Sequence, residues 1–213
     1  MFSAQIKTAT LARWRTQSPE RSLGLVAPWP ITHRSGPPSN ARAWPSDATS
    51  GDFRDGPGAL AALESLAAAA ITIGAATVVF QSPADHSPSA SNRDTLRRFF
   101  TELARADRFG GAERVWLPGG LWEPEAALAL SAELGVLCGV DPLVRAPEAI
   151  DIATLLGPHV YLRPIGLGRA GTLSADRLEE IVDLVAERES GYVAFGTSER
   201  LRDARNLVKL LET

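Results

Sequence analysis

The sequence predicts a parallel α/β fold. Six short apolar runs alternate with stretches of helical periodicity, and each connection between successive strands is too long for a hairpin. The clearest unit spans residues 76–100. Thr77–Phe80 has the continuous apolar pattern of a strand buried on both faces. Ser91 reads as the N-cap of the following helix, with Asp94 three residues on. Leu96, Phe99, Phe100 and Leu103 form one apolar stripe that lies back over the strand. The loop between them carries Gln81, Asp85 and His86. No GxGxxG or GxxxxGK[ST] run follows a strand. Without that phosphate-binding fingerprint the main sequence argument for an open, nucleotide-binding sheet is gone, and a barrel is favoured.

In chain order, a short helix is predicted over 10–17, with Leu11 and Trp14 on one side, then a strand over 23–27 closed by Pro28 and Pro30. Residues 34–58 collect Gly, Pro, Ser, Asn and Asp and read as one long loop, a length usually tied to function or disorder. A helix over 59–70 precedes the strand at 77–81. A strand at 114–117 runs into Pro118, Gly119 and Gly120, and Pro124–Leu134 follows as helix. Strands are predicted at 135–140, ending at Asp141 and Pro142, at 159–163 and at 192–195. The helices between and after them are a short one over 148–155, one capped by Ser174 with Leu178, Ile181, Val182 and Val185 on its face, and a last one capped by Ser198 carrying Leu201, Ala204, Val208 and Leu211.

A chain of 213 residues supports one substantial core, so a single domain over 1–213 is expected. Its 45% apolar and 22% charged residues are those of an ordinary globular protein. A formal charge of −3 gives no general attraction to nucleic acid or anionic membrane. The single Cys138 excludes an internal disulfide and a thiolate zinc cluster; in GVLCGV it reads as an inert core residue. No run approaches the length of a membrane span and the N-terminus has no apolar signal core, so a cytoplasmic location is expected.

Several segments together resemble the YecE-like family (domain of unknown function 72). Phe2, Leu11, Arg13, Trp14, Ser18, Pro19, Ala27, Pro28, Ile31, Thr32 and His33 match one block in spacing. Phe80, Gln81, Pro83, Asn92, Leu96, Phe99 and Phe100 match the next; Tyr161, Arg163 and Gly166 match a third, and 192–197 a fourth. The resemblance implies a TIM-barrel-like fold over nearly the whole chain. It also implies that the barrel is incomplete at the N-terminus, because the family's first strand–helix unit has no counterpart here. The departures lie at the strand ends. Val26 stands where the family has lysine, Trp116 and Leu117 near its Glu and Arg, Ile165 in place of its His, and Gly196 and Thr197 in place of two Asn.

In a barrel the residues just past the strands share one mouth, here His33, Gln81, Asp141, Arg163 and Thr197. These are the candidate ligand-binding residues, and no residue is assigned a catalytic role. A metal site would have only His33, His86, Asp85 and Asp141 to draw on, without HxH or HxxxH spacing, since His159 opens a strand at the opposite end. No metal and no cofactor are therefore expected, and each loop histidine is expected on the surface. Asp141 and His33 could form an acid/base pair with Arg163 clamping an anion, while Asp141 before Pro142 is equally a turn former. Arg93, Arg97 and Arg98, and Trp29, Trp44 and Phe53 beside Arg34, Arg42 and Arg54, are the nearest approach to a nucleic-acid surface. The leading expectation is a protein-interaction or self-association module, with a homo-oligomer or protein partner covering an open barrel edge. The alternative is a hydrolase or binder of a phosphate-containing ligand or nucleic acid at the mouth. No membrane partner is expected.

Overall fold

The computed structural model describes residues 6–34, 44, 48–144, 152–165 and 171–212. It is an α/β fold with six parallel strands, arranged in two compact units. One unit is built from the chain up to Glu123 with Leu130–Val136, the other from Pro124–Ala129 and the chain from Leu137 on.

The first unit holds α1 (Thr8–Gln17), β1 (Gly24–Val26), α2 (Trp29–Thr32), α3 (Pro57–Ile73), β2 (Thr77–Gln81), α4 (Ala90–Arg98) and β3 (Glu113–Leu117). Its sheet runs β1-β2-β3, with Leu25 beside Val78 and Phe80 beside Trp116. The first four residues of β2 are buried, as its unbroken apolar run requires. Helix α3 is longer than the sequence suggests because Pro57 at its first turn and Gly74 at its end define both limits. Gly74 takes φ 62° and donates back to the carbonyls of Ala70 and Ile71. The N-cap of α4 is Ser89, not Ser91: the Ser89 hydroxyl accepts from the Asn92 amide at 3.2 Å. Beyond α4 the helix widens into a π turn, Phe99–Leu103, in which the Ala104 amide reaches the Phe99 carbonyl at 2.7 Å. Phe99 and Phe100 then both turn inward and meet Phe80 edge-on, with centroids 5.2 and 5.5 Å away. A 3-10 turn, Ala106–Phe109, adds Phe109 at 5.9 Å from Phe80.

The second unit holds β4 (Leu137–Val140), α6 (Ile152–Leu155), β5 (His159–Leu162), α7 (Ala175–Ala186), β6 (Ser190–Val193) and α8 (Arg200–Leu211). Helix α5 (Pro124–Leu134) is divided between the two units. The second sheet runs β4-β5-β6, with Tyr161 of β5 beside Gly139 and Tyr192. Its central strand β5 buries Val160, Tyr161 and Leu162. Two sequence expectations shift here. Strand β6 lies two residues earlier than read, and α8 starts at Arg200 after Glu199, because the Ser198 hydroxyl contacts the backbone of Gly171 instead of capping the helix. Residues 35–43 and 45–47 of the 34–58 loop and the start of the helix expected at 148–155 lie outside the described residues.

Candidate functional site

The best-developed cluster lies past the C-terminal ends of β1, β2 and β3 in the first unit. After β1 the Ala27 amide continues the ladder onto the Val79 carbonyl at 2.8 Å, and all four residues of α2 are buried. So short a helix leaves its carbonyls without internal partners. The returning loop supplies them: the amides of Gly51, Asp52 and Phe53 bond to the carbonyls of Pro30, Thr32 and Ile31 at 2.6, 3.2 and 2.9 Å. Those three residues all have positive φ, of 89°, 52° and 58°. For Asp52 and Phe53 that conformation carries strain of the kind that concentrates at functional segments. A Cβ on Gly51 would fall 2.5 Å from the His33 carbonyl, so only glycine fits this approach.

His33 leaves α2 half-buried, with Nδ1 2.7 Å from the hydroxyl of buried Thr32. From β2 come half-buried Gln81 and a tight turn in which the His86 amide donates to the Pro83 carbonyl at 3.1 Å. From β3 come Gly119 and Gly120, whose missing side chains let this loop rest on the carbonyls of Ser82, Pro83 and Ala84. Trp122 follows and donates Nε1–H to the His86 carbonyl at 2.8 Å, while the Arg93 guanidinium lies 5.0 Å over its ring.

His86 is thereby enclosed, only 3% exposed, with the Phe53 ring at 5.3 Å. Its Nε2 is buried without a hydrogen-bond partner among the described residues, a state that is rare enough to need a reason. Burial lowers the proton affinity of both His33 and His86 below the ordinary 6.5, and the carboxylates of Asp52 and Asp85 oppose that shift for both. The cluster therefore presents, beside two acids, two imidazoles whose protonation burial disfavours. It can accept a proton or hydrogen-bond a neutral polar group, and its carboxylates repel phosphate.

In the second unit the expected mouth residues have other partners. Asp141 accepts from the Leu143 amide through Oδ1 and from the Ile165 amide through Oδ2, both at 3.0 Å. It ties the exits of β4 and β5 together, as the turn reading had it. Val144 and Ile165, beside those bonds, are left exposed. Thr197 is buried and donates to Asp203 Oδ2 at 2.5 Å; buried Asp203 also accepts from the Leu173 amide at 2.9 Å. Arg163 is half-buried, continues the ladder onto the Val140 carbonyl at 2.7 Å and acts electrostatically on Tyr161, whose hydroxyl burial pushes to higher pKa.

Further expectations are corrected. His86 is not a surface residue, because Phe53 and the Trp122 loop close over it. Trp29 and Phe53 are buried core and cannot serve as stacking platforms. Arg97 is paired with Glu133 and Asp94 at 2.6 and 2.8 Å and Arg98 with Asp55 and Glu102, so these two are neutralised within their own unit, while Arg93 keeps its charge over the Trp122 ring. Cys138 is buried in β4. His86 and Asp52 were absent from the mouth set. Position five residues after Gln81 was a signal for the first, and nothing local marked the second.

No family model matches the chain, and no curated protein matches it. Among solved structures it is similar to a DUF72 family protein from Thermotoga maritima, with a TM-score of 0.62 and 13% identity, covering 100% of this chain and 82% of that one. A DUF72 family protein from Enterococcus faecalis gives 0.61 and 15%, with the same coverages. The chain has the fold of the DUF72 proteins. At such identity the DUF72 likeness concerns backbone alone. It agrees with the apolar periodicity that persists here while Val26, Leu117 and Ile165 occupy strand ends.

Proposed function

We propose that this DUF72-fold domain acts by association, as a protein-interaction or self-association module. One observation carries this reading. Strand β6 has a strand neighbour on one side only among the described residues, and Tyr192 and Val193, with Ala194 and Phe195 beyond it, are only half-buried. An open strand edge with half-covered aromatic residues is a surface that native proteins pair or shield. The internal commitments of Asp141 and Thr197, and the exposure of Val144 and Ile165, support a mouth shaped for apolar contact more than for charged chemistry. The six parallel strands and the DUF72 likeness support the TIM-barrel-like class. Native mass spectrometry of the protein from its own source tests the association. A dimer, or a mass that includes a second polypeptide, is the expected result, and a bare monomer at every concentration would reject it.

A second reading, a small-ligand site, is favoured by the unpartnered Nε2 of His86. Its acids make a neutral polar ligand a better match than the phosphate or nucleic acid that the mouth alternative named. Thermal-shift titration with neutral polyols and with inorganic phosphate separates the two. Stabilisation by polyols that His86→Phe abolishes is expected; stabilisation by phosphate that Arg163→Ala abolishes would restore the phosphate alternative.

A further inference from the structure

The Gly51–Phe53 segment closes over His86 as a strap. Its three amides bond to the carbonyls of α2, and the Phe53 ring sits 5.3 Å from the imidazole and 5.2 Å from Phe99. Beneath it His86 is 3% exposed, and its Nε2 has no hydrogen-bond partner among the described residues. A neutral imidazole tolerates that position by leaving Nε2 without a proton. An imidazolium does not: both ring nitrogens are then donors, and the charged Nε2–H is buried with nothing to accept it.

We propose that protonation of His86 releases the Gly51–Phe53 strap, so that the cluster of His33, Asp52 and His86 is shut near neutral pH and opened in acid. What each cover is tied to decides which of them gives way. The Trp122 loop travels with His86, because Trp122 Nε1–H donates to the His86 carbonyl and Gly119 and Gly120 rest on the carbonyls of Ser82, Pro83 and Ala84. The strap is bonded to α2 instead, and Asp52 and Phe53 hold positive φ of 52° and 58°, a strain that opening relieves. Opening also admits water to the new charge.

The charged groups around His86 fix the direction of the response. Asp52 on the strap and Asp85 on its own loop attract the proton, and desolvation, the largest influence, opposes it. His33 at the exit of α2 feels the same three influences. Arg34 lies 3.9 Å from Asp52, Arg54 donates to the carbonyls of Gly51 and Ser50, and Arg93 lies over Trp122 on the side of α4. Phe99 and Phe100 bring rings and no charge. Desolvation is lifted when the strap opens, so the open form binds the proton more tightly and falling pH favours it. The switch stands apart from association, since no second copy enters it.

Amide hydrogen exchange by NMR on the full chain at about pH 7.5 and about pH 5.5 tests it, with Gly51, Asp52 and Phe53 compared with Val78 and Val79 of the central strand β2. With an open form that titrates at the ordinary 6.5 and a closed form that stays neutral in this range, strap protection should fall about tenfold between the two. At the lower pH the strap should exchange well ahead of β2. In His86→Gln, with β2 protection reporting that the chain is folded, strap protection should stay constant, and in His33→Gln the wild-type fall should persist. A strap that exchanges only together with β2 in wild type, or a fall that survives in His86→Gln, would overturn the switch. A fall lost in His33→Gln and kept in His86→Gln would give the response to the other histidine and overturn it equally.

Discussion

His86 shows how much one side chain depends on its enclosure. Phe53, the Trp122 loop and the Pro83 turn exclude water from it, so protonation costs more in the folded chain than in the unfolded one. The sign follows from that. Its folded pKa lies below 6.5, so as pH falls through 6.5 the unfolded chain takes up the proton first and stability declines until the folded group also titrates. His33 acts in the same direction. Thermal midpoints from about pH 7.5 to about pH 5 should therefore fall for wild type and fall less for His86→Phe; parallel curves would exonerate His86. A different residue separates scaffold from site in the second unit. Thr197→Val strips buried Asp203 Oδ2 of its hydroxyl donor and should cost about 1.5–3 kcal/mol in urea unfolding, whereas a residue reserved for a ligand would cost almost nothing.

At the level of elements, the loop that returns through Gly51–Phe53 behaves as part of the core. Phe53 touches His86, Phe99 and Phe100 with centroids 5.3, 5.2 and 6.4 Å away, and its amide completes α2. Truncation by Phe53→Ala should destabilise the first unit by about 3–5 kcal/mol, and a loss under about 1 kcal/mol would mean the loop is an outlying excursion after all. The start of α4 gives a cleaner contrast. Ser89→Ala should cost about 1 kcal/mol because it frees the Asn92 amide, and Ser91→Ala should stay within about 0.5 kcal/mol. Both serines precede the same apolar stripe. Only the turn built by Pro83, His86 and Pro88 decides which of them stands at the helix entrance.

For the whole molecule, the proposed association rests on the half-covered edge strand β6. It predicts that the thermal midpoint rises with protein concentration, since association stabilises the fold by mass action, and a midpoint that does not move would count against it. The sequence by itself determined the α/β class, all six strands to within a few residues and the apolar stripes of the helices. These are local properties. A buried strand needs an apolar run and an amphipathic helix needs its period, and both are written in consecutive residues. Only the tertiary structure decided what each apolar or polar group meets. Periodicity states that Leu201, Val208 and Leu211 share a face, not whether a core or solvent lies beyond it. Asp141 is a clamp because the Ile165 amide, twenty-four residues along, comes to it. Protonation of His86 is disfavoured because Phe53 arrives from another loop to exclude water. Desolvation and hydrogen bonding at such positions are set by chain segments distant in sequence, and no local pattern encodes which segment arrives.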